Sequence, residues 1–307
     1  MFDSAIGWLT FYWKQFRLFQ LFERLFASMG ATWGVVEMLA FFGKQDFSNK
    51  LQSFWWVFAI GVLLYTLFTS WPKRKFRFRI NGRDVHVAIQ LGDLLSNESV
   101  IVPINNRFIV DPLGNLPIYK SILKALVSKL FNGVAKQLQD QIDGVIKQGG
   151  INPKLLISAS PDVYKVGSVI PVTVGSKQIY FLANSSLNSS NRSSTTNEDL
   201  RNALGELWVY IASSGTKDTL SIPVLGTGMG RLKMSREKVI KEIILSFIAS
   251  LGYQTHCDEL IIVINPVDYY RHNIDLDHLI GFMKSQCEYY ELNESTAVPQ
   301  GQPVDIS

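Results

Sequence analysis

The stretch Ser221–Arg236 reads Ser-Ile-Pro-Val-Leu-Gly-Thr-Gly-Met-Gly-Arg-Leu-Lys-Met-Ser-Arg, and its residue types suit the binding of a phosphate. An apolar run, Ile222 to Leu225, leads into Gly226, Thr227, Gly228, Met229 and Gly230. In a strand, glycine turn and helix of this order, bare backbone N–H groups face an anion and the helix dipole adds partial positive charge. Ser235 can cap the helix that follows, and Arg231 and Lys233 add cationic side chains. Glycines so placed also serve a plain strand-to-helix turn that needs φ > 0, and spacing leaves both uses open. The stretch lacks the Gly-Lys-Ser/Thr of a P-loop and is too compressed for a Rossmann fingerprint.

Other chemistry is poorly supported. Cys257 and Cys287 lie far apart, and His86, His256, His272 and His278 show no metal-ligand spacing. Neither a metal nor a disulfide framework is expected, and a reducing compartment follows. The chain has 307 residues, 47% of them apolar, and a net charge of +4. That length suffices for one large domain or two small ones.

The apolar excess is local. Residues 1–24 read as an amphipathic interfacial helix, with Lys14, Arg17 and Arg24 among aromatics from Trp8 onward. Scattered charge and the lack of a small-residue cleavage site exclude a signal peptide. Residues 25–43 and 54–71 are expected to be two transmembrane helices within 25–72, joined by a polar connection. Trp55, Trp56 and Trp71 sit where interfacial aromatic belts form. Glu37 inside the first span would need a protein or water partner. Lys73, Arg74, Lys75, Arg77 and Arg79 follow the second span, and this outer positive charge predicts both termini in the cytoplasm and a multi-pass protein of the cell membrane.

From Lys75 the pattern changes to period two, turns at Asn81-Gly82, and alternates again from Asp84 to Ile89. Residues 73–291 read as an α/β domain. Strands are expected at 99–104, 168–174, 178–182, 222–225 and 259–264. Helices are expected over Tyr119–Phe131, from Gly133 to Gly149, from a capping box at Thr195-x-x-Glu198 to Ser213, from Ser235, and over Leu276–Gln286. Asn184–Thr196 reads as a polar loop, 265–270 as a loop, and 292–307 as a disordered tail. Short all-apolar strands imply a sheet covered on both faces, and ligands bind such sheets beyond the carboxyl ends of the strands. Gly92-Asp93, Asn105-Asn106, Asn132-Gly133 and Gly226–Gly230 are the marked loops expected there.

These loops, in this order from about Val85 to Tyr270, resemble the macrodomain family, which binds ADP-ribose. The resemblance implies a three-layer α/β/α fold with a mixed sheet. Gly92-Asp93-Leu94 is similar to the family's Gly-Asp-Ile, whose aspartate hydrogen-bonds the adenine amine. Val100 to Asn106 is similar to its Ile-Val-Asn-Ala-Ala-Asn strand. Asn132-Gly133-Val134 resembles its first phosphate loop, Gly226-Thr227-Gly228-Met229 its second, and Tyr269 or Tyr270 would supply an aromatic wall for adenine. There are departures. Pro103 replaces the first Asn, the glycine run before Gly133 is missing, and Gly230-Arg231 stands where an aromatic-glycine pair is usual. These losses argue for a sensor, without catalytic residues or a cofactor, over a hydrolase.

Two spans fused to such a domain are similar to the membrane effector family of the type II Thoeris anti-phage system. That resemblance implies a signal derived from ADP-ribose, histidine-conjugated in the family and made from NAD by a TIR-domain partner. It also implies homo-oligomerisation, contact with membrane lipid and abortive infection. The alternatives are a membrane-anchored ADP-ribosyl hydrolase, a reader of ADP-ribose, or a nucleic-acid or lipid adaptor using residues 73–79. The basic stretch is more simply a topology signal, so no nucleic-acid partner is expected.

Overall fold

The computed structural model describes residues 2–15, 18–42, 55–70, 72–111, 122–149, 163–187, 192–215, 217–226, 231–252 and 256–290. The chain divides into two units, Met1–Arg74 and Lys75–Ser307, close to the boundary expected at residue 73. The tail expected over 292–307 lies outside the described residues.

The first unit contains helices α1 (Phe2–Gln15), α2 (Leu18–Phe42) and α3 (Trp55–Thr69). The interfacial helix expected over 1–24 is not one element, because α2 begins at Leu18 and runs on past residue 24. Helices α2 and α3 pair antiparallel. The hydroxyls of Ser28 and buried Thr66 meet at 3.1 Å, and Arg24 donates to the Thr69 carbonyl. A hydroxyl inside an apolar contact needs such a partner. The Arg74 guanidinium lies 4.5 Å from the Trp8 ring centroid and donates from Nε to the Tyr12 hydroxyl at 2.8 Å. Both termini of the unit are thereby held together.

The two-span expectation is not supported: among the described residues no helix is long and apolar enough to cross a membrane. Helix α3 carries no charged residue but has 15 residues. At 1.5 Å per residue it reaches about 22 Å, against a hydrocarbon core about 30 Å thick. Helix α2 has 25 residues but carries Glu23, Arg24 and Glu37.

In the second unit, strands β1 (Lys75–Arg79), β2 (His86–Leu91), β3 (Ser99–Asn105), β4 (Val169–Val174), β5 (Lys177–Leu187), β6 (Ser193–Ser194), β7 (Thr219–Pro223) and β8 (Glu259–Ile264) form one mixed sheet. Its order is β1-β2-β8-β7-β3-β5-β4, with β6 on β5. The central strands β2, β8, β7, β3 and β5 are parallel, and β1, β4 and β6 are antiparallel. Every residue of β8 is buried, as a strand covered on both faces must be.

Helices α4 (Ile122–Leu130) and α5 (Ala135–Lys147) cover one face, burying Leu126, Leu138 and Ile142 with Val100, Val102 and Phe181. Helices α6 (Asn197–Ser214), α7 (Arg236–Ser250) and α9 (Leu276–Glu288) provide the other layer, where Trp208 meets Phe247 edge to face at 5.2 Å. A short helix, α8 (Pro266–Arg271), follows β8 where a loop was expected, because Asn265 caps it and Pro266 suits its first turn.

Two other local expectations move. The capping box is one residue later, with Thr196 as N-cap and Asp199 returning the bond. Thr195 is instead buried, and its hydroxyl donates to the Asn184 carbonyl at 3.1 Å. The segment read as a polar loop from Asn184 is strand up to Leu187, and β6 returns along it.

Candidate functional site

Five parallel strands place their carboxyl ends on one edge of the sheet, and the loops that leave them are tied to one another. Gly92 follows β2 and donates its N–H to the Ile264 carbonyl of β8 at 3.0 Å. Asp93 then caps a single 3-10 turn, Leu94–Ser96, its Oδ1 accepting from the Leu95 N–H at 3.1 Å. Its other carboxylate oxygen accepts from the Lys129 ammonium at the end of α4.

Between β3 and β5 the register shifts. Ile104 faces Ala183 and Asn105 faces Ser185, so Asn184 is the extra residue of a bulge. A bulge re-aims a side chain. With its amide oriented to satisfy its neighbours, Asn184 donates to the Ile104 carbonyl at 3.2 Å and accepts from the Gly226 N–H at 3.3 Å. One buried amide thus joins β5, β3 and the start of the glycine stretch after β7.

Gly226 has φ 67°, and its carbonyl accepts from the Leu232 N–H at 3.0 Å. A Cβ here would lie 3.3 Å from the Leu232 side chain, so both conformation and packing call for glycine. Arg231 also has a positive φ, 53°, and Ser235 caps α7 by accepting from the Lys238 N–H at 3.4 Å. Thr227, Gly228, Met229 and Gly230 lie outside the described residues.

Asn132 and Gly133, between α4 and α5, have φ 49° and 83°. Val134 follows as the N-cap of α5, exposed and with no side-chain cap bond. Among the described residues nothing lies within 4 Å of a Cβ built on Gly133. The turn leads into a helix N-terminus with no side-chain cap, where unpaired N–H groups and the helix dipole favour an anion.

The two asparagines at the end of β3 differ from expectation. Asn105 is consumed by its own loop. Its Oδ1 accepts from Arg107 and Ile109 N–H groups and its Nδ2 donates to the Ile109 carbonyl. It holds the loop rather than facing a ligand. Asn106 is also buried, its Oδ1 accepting from the Leu187 N–H at 3.0 Å. Among the described residues its Nδ2 has no bond partner. Beside them Phe108 is buried at φ 53°, a strained position for an aromatic residue. Gln139 of α5 holds it there, donating to the Phe108 carbonyl at 3.1 Å and accepting from the Val110 N–H at 2.9 Å.

The tyrosines of α8 divide. Tyr269 is 2% exposed, and burial, followed by Asp277 and Asp275, raises its phenol above the ordinary range. It is a core residue. Tyr270 is 46% exposed and remains open to a ligand. Among the described residues no cluster of His, Cys, Asp and Glu could hold a metal ion.

Asn184, Lys129 and Gln139 carry no signal in the sequence. Asn184 lay within an apparent polar loop, and the two others carry no spacing signal on their helices.

The mixed sheet, with its glycine-marked loops gathered at one carboxyl edge, defines the class as a macrodomain-type α/β domain. The family described as "Thoeris protein ThsA, Macro domain" matches residues 87–265, more than half of the chain, and the chain belongs to that family. A search of curated proteins finds no match. Among solved structures, a glycine-to-valine variant of the Oceanobacillus iheyensis macrodomain with ADPR is similar at 16% identity and TM-score 0.45, covering 67% of this chain and 99% of that one. The same macrodomain with ADP gives 15% identity and TM-score 0.43, with 68% and 99% covered. The Trypanosoma brucei macrodomain in complex with ADP-ribose gives 9% identity and TM-score 0.41, with 68% and 73% covered.

Proposed function

We propose that this chain is the signal-binding component of a Thoeris system, and that its second unit binds an ADP-ribose-derived nucleotide at the carboxyl edge of the sheet. The observation that carries this reading is the start of α5. Two successive left-handed residues lead into a helix N-terminus with no side-chain cap, and among the described residues nothing lies within 4 Å of a Cβ on Gly133. The same segment, through Lys129, meets Asp93, so anion-binding and base-binding groups share one edge. The diphosphate takes the α5 terminus and the glycine stretch, Asp93 accepts from the adenine amine, and Tyr270 is the exposed aromatic beside them.

A TIR-domain protein would make the signal from NAD, with histidine-conjugated ADP-ribose as the family's form. The chain acts as a sensor and not a hydrolase. Two observations favour this: Asn105 is consumed by its own loop, and Asn106 has its oxygen committed to Leu187. Membrane association of the first unit is supported by apolar residues exposed along α2 and α3, among them Trp33, Phe41, Phe42, Trp55 and Phe68. Contiguous exposed apolar surface of this kind marks lipid or protein contact. Ligand binding would favour assembly of these helices into a homo-oligomer at the cell membrane, with the second unit in the cytoplasm. A ligand shifts such an equilibrium only through tighter binding to the assembled state.

The test uses the full chain with dye-loaded liposomes and ADP-ribose or its histidine conjugate. Dye release on ligand addition, with the ligand recovered unchanged, is the expected result. Steady turnover of an ADP-ribosylated substrate without leakage would replace the sensor with a hydrolase.

A further inference from the structure

We propose that Lys129 and Asp93 act together as a two-point reader of the adenine edge, Lys129 being a specificity-determining residue. This rests on the reading that Asp93 faces the base. The Asp93 carboxylate is fixed in direction, because Oδ1 is spent on the Leu95 N–H as the cap of its turn. Its second oxygen accepts from the Lys129 ammonium. Both side chains are about half exposed, 49% and 54%. An ion pair so exposed adds little stability, yet each partner keeps unused capacity. A carboxylate oxygen has a further lone pair, and an ammonium has two further N–H donors.

The pair therefore offers solvent an acceptor and a donor side by side. That is the pattern of an asparagine or glutamine amide, which reads adenine through an amine donor and an adjacent ring nitrogen. Adenine can donate its amine to Asp93 and accept from Lys129 at N1 or N7 without breaking the ion pair. The donor is well anchored. Lys129 occupies the last turn of α4, whose Leu123, Leu126 and Val127 are buried against the sheet. The same segment runs directly into Asn132-Gly133, so Lys129 and the α5 terminus lie on one continuous stretch of chain.

The experiment is calorimetric titration of the full chain and of its Lys129→Met and Lys129→Gln variants with ADP-ribose and with its 1-deaza and 7-deaza adenine analogues. Loss of one hydrogen bond from a charged donor corresponds to about a tenfold or larger change in affinity. Lys129→Met should bind ADP-ribose at least about tenfold more weakly than the parent. The penalty for one deaza analogue should be present in the parent and absent in Lys129→Met. Lys129→Gln, which retains a donor, should recover part of the affinity. Tighter or equal binding of ADP-ribose by Lys129→Met, or deaza penalties identical in parent and variant, would overturn the proposal while leaving the site in place. A parent chain that does not bind ADP-ribose would overturn the site reading itself.

Discussion

Asp93 caps its own turn through Oδ1, and what remains of its carboxylate is half exposed with a lysine beside it. A carboxylate accepting from an exocyclic amine contributes about 1.5–3 kcal/mol. Asp93→Ala should therefore weaken ADP-ribose affinity about tenfold or more, which titration of the variant measures, and an inosine analogue should lose a similar factor against the parent chain. Equal affinity for adenine and hypoxanthine forms would remove Asp93 from the base site. Asp93 is marked in the sequence by the resemblance of Gly92-Asp93-Leu94 to the macrodomain Gly-Asp-Ile. Asn105 was legible as a site residue too, but its type is equally that of a turn residue bonding its own backbone, and the structure gives it that role. Asn184 was not legible at all. It functions through a bulge, and nothing in Leu-Ala-Asn-Ser-Ser announces an extra residue between β3 and β5.

At the scale of elements, the start of α5 separates stability from binding. Val134 is the N-cap and offers no side-chain acceptor. Val134→Asp should supply one, stabilising the helix by about 0.5–2 kcal/mol, while its negative charge repels a phosphate at the same terminus. Thermal unfolding should rise and ADP-ribose affinity should fall. A rise in both would place the phosphate elsewhere. The helices and strands were mostly read from their periods, and Ser235, the last strand and the hairpin at Asn81-Gly82 fell where expected. The capping box slipped by one residue because Thr195 and Thr196 are adjacent and each can cap. Packing decided between them, burying Thr195 against the Asn184 carbonyl. The polar run 184–187 is strand because a polar stretch at the edge of the site still completes the β5 ladder, against its composition.

At the scale of the molecule, the second unit should be sensitive to acid through His256. This imidazole is buried, stacked on Trp208 with centroids 6.4 Å apart, and its Nε2 meets the Ser250 hydroxyl at 2.8 Å. Burial, partly opposed by the Ser250 bond, lowers its pKa below the ordinary 6.5. The folded state then binds fewer protons than the unfolded one. Its contribution is complete above the ordinary pKa and is lost as pH falls through the lowered value. Urea midpoints of the parent chain should drop between pH 7.5 and 5. His256→Phe, which keeps a ring beside Trp208, should show a smaller drop, and an identical drop would assign the acid sensitivity to other groups. The α/β class was legible from the change of period at Lys75. The spans were not, because composition registers apolarity and leaves helix length and charge placement open. Helix α3 is too short among the described residues, and α2 carries Glu23, Arg24 and Glu37. The central claim, that the second unit is a receptor for an ADP-ribose-derived signal, is tested most directly by calorimetric titration of the full chain with ADP-ribose and, in parallel, with ribose 5-phosphate. Saturable binding of ADP-ribose, at least about tenfold tighter than ribose 5-phosphate because base and diphosphate are both engaged, is the predicted result. No heat of binding, or equal affinity for the two, would contradict it.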